Sequence, residues 1–485
     1  MALETDPARL AGEHFDVVIV GTGFGSAFFL HRLLRENGGR ILVLEWGQRH
    51  DHQWQMENEA NSALPHQDTY RSQNPKPWNY TIGFGGGTNC WFAQTPRFHP
   101  SDFRLKSLYG VGADWPISYD DLEPYYGQAE SIMSVSGDPD MAAVMPRSTP
   151  FPQPAHHPTT PDRAMKAARP SEHFIMPTAR ARVAANGRGA CCASLRCQLC
   201  PADAKFTINN GMTDIFDDPR VTLVLGAQVR TLEADASSVS SAVFDLDGKD
   251  VAVTGDLFVL GANAIQSPAI LKRSAMDGPL VGRGLHESYG TYVEAMLDGM
   301  DNFDGSTITT GLNFGLYDGA FRSDYGAALV YFENRWTHGL RAERGRHRQI
   351  LPMMIVTEEL VNDDDRVEID EDGVARVHYG GPSSYTKKGQ SEALAKLPKL
   401  LEPLPVEDIQ FRRERPTESH LQGTLRMGAD PASSVIDADM IHHRYRNLVV
   451  VGSSTFTTCS CANPSLTVAA LSMRAADRLA SRSRA

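Results

Sequence analysis

The first 45 residues constrain the fold more than any other part of this 485-residue chain. Phe15-Asp16-Val17-Val18-Ile19-Val20 is a β-branched run that predicts a buried parallel strand. It passes without a spacer into Gly21-Thr22-Gly23-Phe24-Gly25-Ser26, and then into a helical pattern with apolar residues at Phe28, Leu30, Leu33 and Leu34. Gly38-Gly39 stops that helix, and a second strand, Ile41-Leu42-Val43-Leu44, ends at Glu45. Strand, glycine turn, helix, strand and acid in this order predict a dinucleotide cradle. Gly21 permits the tight turn, and Gly23 lets the backbone approach a pyrophosphate. The helix N-terminus offers free N–H groups and a positive dipole end to the phosphates. Ser26 stands at the third glycine position and is small enough for close helix packing. Glu45 lies about 20 residues beyond the turn, where a carboxylate accepts a ribose hydroxyl and repels a 2′-phosphate. The pattern alone does not separate FAD from NAD.

The composition narrows the function. A net charge of -12 argues against nucleic-acid binding, which needs a basic surface. It suits a neutral small molecule and mildly favours a cationic one. Hydrophobic residues at 41% and charged residues at 22% are ordinary for a soluble chain. No apolar run reaches membrane-spanning length, and residues 1–14 lack the charged-then-apolar order of a signal peptide. The expectation is a cytoplasmic protein with no membrane partner. The basic run over 341–348 reads as a solvated loop, and Asp363-Asp364-Asp365 as a solvated strand end rather than a metal site.

Further segments bear on the choice of dinucleotide. Gly83-Phe84-Gly85-Gly86-Gly87-Thr88-Asn89-Cys90-Trp91 is a second glycine-rich loop. Gly261-Ala262-Asn263-Ala264-Ile265-Gln266-Ser267-Pro268 follows the strand Leu257-Phe258-Val259-Leu260, and Val281-Gly282-Arg283-Gly284-Leu285 comes next. Near the end stand His420-Leu421-Gln422-Gly423-Thr424 and Val449-Val450-Val451-Gly452-Ser453-Ser454, then Cys461-Ala462-Asn463-Pro464-Ser465. Together these resemble the glucose–methanol–choline (GMC) oxidoreductase family, with pyranose oxidase and sugar dehydrogenase-type members as the most similar. The resemblance runs from about Asp16 to Leu479 and is weakest between Tyr289 and Pro416.

That resemblance implies an α/β fold. A discontinuous Rossmann-like FAD-binding domain (1–125, 186–290 and 417–485) would carry an α+β substrate domain built on an antiparallel sheet (291–416). Residues 126–185 would form a crossing segment. Gly21, Gly23, Phe24, Gly25 and Ser26 would hold the pyrophosphate, Glu45 the ribose, and Val229 the adenine through its backbone. Gly86, Gly87, Asn89, Cys90 and Trp91 would lie along the isoalloxazine. Gly261, Gly452, Asn463, Pro464 and Ser465 would complete the site. Some relatives carry a histidine bonded covalently to the flavin where this chain has Cys90, so the FAD is expected to be noncovalent.

The residues themselves agree with a substrate sheet over 291–416. Residues 291–296, 306–314, 327–332 and 350–356 read as strands. Residues 367–369 and 374–378 flank Asp370-Glu371-Asp372-Gly373 as a hairpin, and a helix is expected over 385–401.

Oxidising an alcohol requires a base for the hydroxyl proton, a donor for the substrate oxygen, and a group that favours negative charge on the acceptor. His420 suits the first task, because imidazole titrates near neutrality. Asn463 suits the second, since its amide donates without competing for the proton. Pro464 is expected at the first position of a helix capped by Asn463, whose N-terminus would supply the third. His286 and Glu287 follow the Gly282 loop and are candidates to approach the flavin.

Four of the seven cysteines cluster as Cys191-Cys192, Cys197 and Cys200-Pro201. Short spacing before a proline suggests iron–sulfur ligation. It also resembles a cluster-binding segment in some multi-subunit sugar dehydrogenases of the family. Those have three residues before the last cysteine, and this chain has two. A thiol turn without metal, or zinc, are the other readings.

The expected activity is oxidation of an alcohol group of a sugar, glycoside or related polyol by hydride transfer to flavin N5, with His420 as base. Oxygen, a quinone or a redox carrier protein would accept the electrons. A hydroxynitrile lyase-like activity with structural flavin is the alternative, and NAD-dependent dehydrogenation a third reading.

Overall fold

The computed structural model describes residues 3–36, 39–334 and 346–483. Gly38 of the predicted helix stop, and residues 341–345 of the basic run, lie outside the described residues.

The predicted first strand forms over His14–Val20 and pairs in parallel with Ile41–Glu45 on one side and with Lys249–Leu260 on the other. Ile41–Glu45 pairs in parallel with Val221–Leu225 at the sheet edge. The 12-residue strand Lys249–Leu260 forks. Its first half pairs antiparallel with Val239–Leu246, which pairs with Gln228–Ala234; its last residues pair in parallel with Leu448–Val450. The seven-stranded sheet therefore takes strands from both ends of the chain. The apolar runs are buried because helices Phe24–Leu33, Tyr119–Met133 and Ser465–Ser483 pack together in the same core.

A second, six-stranded sheet is antiparallel throughout. Its order is Val406–Glu414, Tyr289–Leu297, Ile350–Thr357, Ala328–Glu333, Thr309–Asn313, His173–Ile175. Side chains alternate across it. Val293, Ala295, Leu297, Val330, Phe332, Met353 and Ile355 share a core cluster with helix Ser384–Leu400. The intervening Tyr331, Glu333 and Met354 take the other face, toward the first domain. The predicted hairpin forms from Arg366–Ile369 and Ala375–His378, joined in parallel by Tyr70–Ser72.

The α/β class with an antiparallel substrate sheet is as expected. The segment limits need adjustment. The limit drawn at 125 falls inside helix Tyr119–Met133, and 126–185 contributes the edge strand His173–Ile175 to the six-stranded sheet rather than merely crossing. Among the described residues no helix is long and apolar enough to cross a membrane.

Candidate active site

The parallel strands His14–Val20, Ile41–Glu45, Lys249–Leu260 and Leu448–Val450 all point their carboxyl ends at one cleft of about 830 Å³. Ligands of open parallel sheets sit at this end, and the volume lies in the upper part of the usual range for ligand pockets. Gly21, Glu45, Gly261 and Gly452, each at or just past a strand end, line it. So do Gly23, Phe24, Gly25, Gly86, Gly87, Cys90, Trp91, Val229, Pro464 and Ser465. His420 and Asn463 close one end, while Gln228, Val229 and Arg273 line another part.

The helix after the first turn starts at Phe24, with Gly23 at the cap, so its free N–H groups stand on the cleft. Gly21 has φ +90°, and a Cβ there would lie 2.7 Å from the Gly261 carbonyl oxygen, so the chain itself demands glycine. Gly23 is different. Its φ is -74°, and an added Cβ would meet nothing closer than 3.8 Å. The fold does not require glycine at 23; the space in front of it does.

Two expected cleft residues are turned elsewhere. Ser26 Oγ donates to the Val20 carbonyl at 3.1 Å, locking the helix to the strand instead of facing phosphate. Asn89 is buried; its amide donates to the carbonyls of Phe84 and Gly86 and accepts from Gln55 and Asn209. It shapes the second glycine loop from within. Lys205 supports the same loop. Its ammonium donates to the carbonyls of Asn89 (2.7 Å), Trp91 (3.2 Å) and Gln198 (2.7 Å), and burial pulls its pKa down to about 8.

Thr22 was not anticipated. Its hydroxyl donates to Glu45 at 2.7 Å and accepts from the Gly85 N–H at 2.9 Å, tying the two glycine loops to the acid. A polar residue between the first two glycines was the only available cue. Glu45 also accepts from the Thr22 and Gly47 N–H groups at 3.0 Å, and burial raises its pKa.

At the other end His420 Nε2 and Asn463 Nδ2 are 3.2 Å apart. Nδ1 of His420 is buried and has no hydrogen-bond partner among the described residues. Burial first, then the nearby Arg415 cation, pull the imidazole pKa down to about 3, so it is neutral at physiological pH. Ser419, just before it, has φ +60° although it is not glycine. Glu287 holds this turn from behind. It pairs with Lys76, accepts the His420 N–H at 3.1 Å and takes the Thr417 hydroxyl at 3.1 Å. His286 is buried outside the cleft with Nδ1 2.8 Å from the Gly284 carbonyl.

The substrate sheet closes this end with Ile308, Thr309, Glu333 and Met354, and Gln94, Arg415 and Glu418 also line it. Arg415 pairs with Glu418 at 2.8 Å, yet burial and the nearby Glu287 and Glu333 leave the Glu418 pKa at about 7. No local motif marks these residues. The C-terminal helix begins at Ser465: the Val468 N–H bonds to the Pro464 carbonyl, which makes Pro464 the cap. Asn463 lies one residue outside, and its side chain is used by His420, Gln94 and Tyr331 rather than by the helix.

Cys191, Cys197 and Cys200 lie within electrostatic range of one another without forming a ligand set. Cys191 Sγ donates to the Ser306 carbonyl, Cys192 is exposed, and Cys197 and Cys200 are buried. Among the described residues no three His, Cys, Asp or Glu side chains are grouped to hold a metal ion. No iron–sulfur or zinc site is formed among the described residues.

Comparison with known proteins agrees with this geometry. Residues 386–472, which carry His420 and Asn463, match the C-terminal model of the GMC oxidoreductases. Over that segment the chain is similar to the GMC oxidoreductases. It is 28% identical to the fructose dehydrogenase large subunit of Gluconobacter japonicus over 96% of this chain and 97% of that one. It is 29% identical to 6'''-hydroxyparomomycin C oxidase of Streptomyces lividus over 96% and 91%. In fold it is similar to pyridoxine 4-oxidase from Mesorbium loti, with a TM-score of 0.68 at 18% identity over 96% and 98%. FAD, the dinucleotide of the GMC oxidoreductases, fits this cleft: there are two glycine loops, a helix N-terminus, an acid at the second strand, and a glycine at 23 that brings the backbone to the cleft with no Cβ in the way.

Proposed function

We propose that this chain is a GMC-type oxidoreductase that oxidises an alcohol group of a sugar, glycoside or related polyol to a carbonyl, with His420 as the base and Asn463 as the donor that orients the substrate oxygen. The observation that carries this reading is the 3.2 Å meeting of His420 Nε2 and Asn463 Nδ2 at the end of a cleft that elsewhere forms a dinucleotide cradle. The sugar assignment is supported by full-length relatives named for fructose and for 6'''-hydroxyparomomycin C.

Bound FAD supplies the acceptor for the hydride that leaves the alcohol carbon. The chain's own residues do the rest. His420 enters the reaction neutral, because burial disfavours its charged form, and Nε2 takes the hydroxyl proton. The Asn463 N–H that faces Nε2 is the one that turns to the substrate oxygen, which then sits between the two side chains, and it holds that oxygen as negative charge develops. The N-terminus of helix Ser465–Ser483 favours negative charge at this end of the cleft, and Pro464 and Ser465 line it there. Gly86, Gly87, Cys90 and Trp91 line the cleft and would form the wall along which the flavin ring is held. Cys90 takes the place of the linking histidine of some relatives, so the FAD is held without a covalent bond and acid denaturation should release it. Electrons then pass to an external acceptor: oxygen, a quinone or a carrier protein.

The test is anaerobic stopped-flow reduction of the purified flavoprotein by a panel of sugars, glycosides and polyols, followed by mixing with oxygen or a quinone. At least one sugar should bleach the flavin, and one acceptor should restore it. If no alcohol bleaches the flavin, the proposal fails in favour of a non-redox activity on the same fold.

A further inference from the structure

We propose that Gln94 is a positioning residue of this reaction. Its side chain orients the Asn463 carboxamide so that an amide N–H meets His420 Nε2, which keeps that nitrogen the proton acceptor. This rests on the roles proposed for His420 and Asn463.

Both ends of the Asn463 carboxamide are engaged, and the Tyr331 hydroxyl divides its one proton between Asn463 and the Cys461 carbonyl, 2.9 Å away. Nδ2 donates to Gln94 Oε1 at 3.1 Å and stands 3.2 Å from His420 Nε2, while Oδ1 accepts from the Tyr331 hydroxyl at 3.2 Å. An amide nitrogen only donates, so the imidazole nitrogen it meets carries a lone pair and the ring proton sits on Nδ1. Nδ1 has no partner among the described residues, so the tautomer is set from the Asn463 side. Rotating that carboxamide by half a turn would place its oxygen against Nε2 and favour the tautomer that cannot act as base there.

The oxygen of Gln94 prevents that rotation, and Gln94 is itself held. Its Nε2 donates to the hydroxyl of Thr309, a fully buried residue in the strand Thr309–Asn313. The order of donors and acceptors thus passes from the substrate sheet through Gln94 and Asn463 to the imidazole. Gln94 is 8% exposed, lines the cleft and carries no charge, so it does not compete for the proton.

The backbone supports the same reading independently. Ala93, immediately before Gln94, has φ +57°, and Ser419, immediately before His420, has φ +60°. Left-handed backbone at non-glycine residues persists only where the surroundings enforce it, and it is concentrated at functional sites. Ala93 is pinned by the Ala179 N–H, which bonds to its carbonyl at 2.8 Å, and the next turn by Thr95 N–H to the Pro177 carbonyl at 2.9 Å.

The experiment compares holoenzymes of Gln94→Leu, Gln94→Glu and Thr309→Val by anaerobic flavin reduction across pH, using the sugar that reduces the parent fastest. Gln94→Leu removes the acceptor at similar size. It should slow the limiting reduction rate by roughly tenfold or more at unchanged flavin content, with the half-saturating sugar concentration moving less than about threefold. Gln94→Glu keeps an acceptor for Asn463 and should recover most of that rate at neutral pH. Its carboxylate should also raise the proton affinity of His420 and move the acidic limb of the profile to higher pH. A residue that only packs would show no rescue by glutamate. Thr309→Val should slow reduction in the same direction by less, and it decides the matter if Gln94→Leu does not fold. The proposal is overturned if Gln94→Leu, or in its absence Thr309→Val, reduces its flavin within about twofold of the parent, or if Gln94→Glu is no better than Gln94→Leu. Failure of the underlying reading looks different: His420→Ala would then still be reduced, whatever Gln94 does.

Discussion

The two ends of the cleft are built from different material. At the nucleotide end the cradle is backbone: Gly21, Gly23, Gly86 and Gly261, the N–H groups ahead of helix Phe24–Leu33, and the ends of parallel strands. At the other end, where we propose the reaction takes place, the groups are the side chains of Gln94, Tyr331, His420 and Asn463, drawn from four distant segments and joined by hydrogen bonds of 3.1–3.2 Å. Backbone recognition tolerates almost any side chain but no Cβ in the wrong place. A constellation of side chains tolerates changes in the chain around it but not the loss of one atom. Substitutions at the two ends should therefore fail in different ways.

The largest expected effect separates binding from chemistry. His420→Ala should bind FAD normally, yet lose flavin reduction by sugar by about 10²–10⁴-fold, the usual contribution of a positioned base. Stopped-flow bleaching measures it. Reduction near the parental rate would remove the base from the mechanism.

Next come the two glycines of the first turn, which test the backbone end against itself. Gly21→Ala puts a Cβ 2.7 Å from the Gly261 oxygen at a φ of +90°. It should destabilise even the flavin-free protein, by roughly 1–3 kcal/mol. Gly23→Ala has room in the empty fold, where the nearest atom is 3.8 Å away, and no adverse φ. Its flavin-free melting temperature should equal the parent's while its FAD affinity falls at least tenfold, about 1.4 kcal/mol. Parental FAD binding by Gly23→Ala, in a titration of apoprotein, would show that the occupant does not approach the backbone there.

Asn463→Ala should cost less than His420→Ala, about tenfold in reduction rate, because it removes one donor and leaves the base. A loss equal to or larger than that of His420→Ala would mean that the two roles are reversed.

The same contrast accounts for what could be read in advance. The cradle was legible because its demands are local: a β-branched run, glycine where a turn closes, an acid at the end of the next strand. Alternation in 291–296 and 350–356 marked the substrate sheet for the same reason. The reacting end was legible only where a residue type announces its chemistry, as His420 and Asn463 do. Gln94 and Thr309 carry ordinary polar side chains, and only sheet pairing puts them together. The expected roles of Ser26 and Asn89 went astray because sequence shows that a residue is small or polar but not which way its side chain turns. The cysteine spacing suggested ligands, but the fold bonds Cys191 to the Ser306 carbonyl and leaves Cys192 in solvent.

The smallest expected effect is a pH dependence of stability at the side-chain end, which has no counterpart in the backbone cradle's glycines. His420 falls to about 3 in the fold from an ordinary 6.5, so the unfolded chain takes up this proton first. Its contribution is complete above pH 6.5 and is lost as the pH drops toward 3. Glu418 runs the other way. Burial, with Glu287 and Glu333 nearby and Arg415 and Lys76 only partly offsetting them, raises it from 4.5 to about 7. The folded protein therefore keeps a proton that the unfolded chain has released. That contribution is complete below pH 4.5 and is lost as the pH rises through 7. Between pH 4.5 and 6.5 the two groups oppose each other and flatten the parent's profile. Glu418→Gln removes one of them. Its melting temperature, relative to the parent's, should be higher at pH 8 than at pH 5 by a few degrees. A difference independent of pH would mean that Glu418 is already ionised in the folded protein at pH 5, and that Arg415 neutralises it more completely than its burial allows.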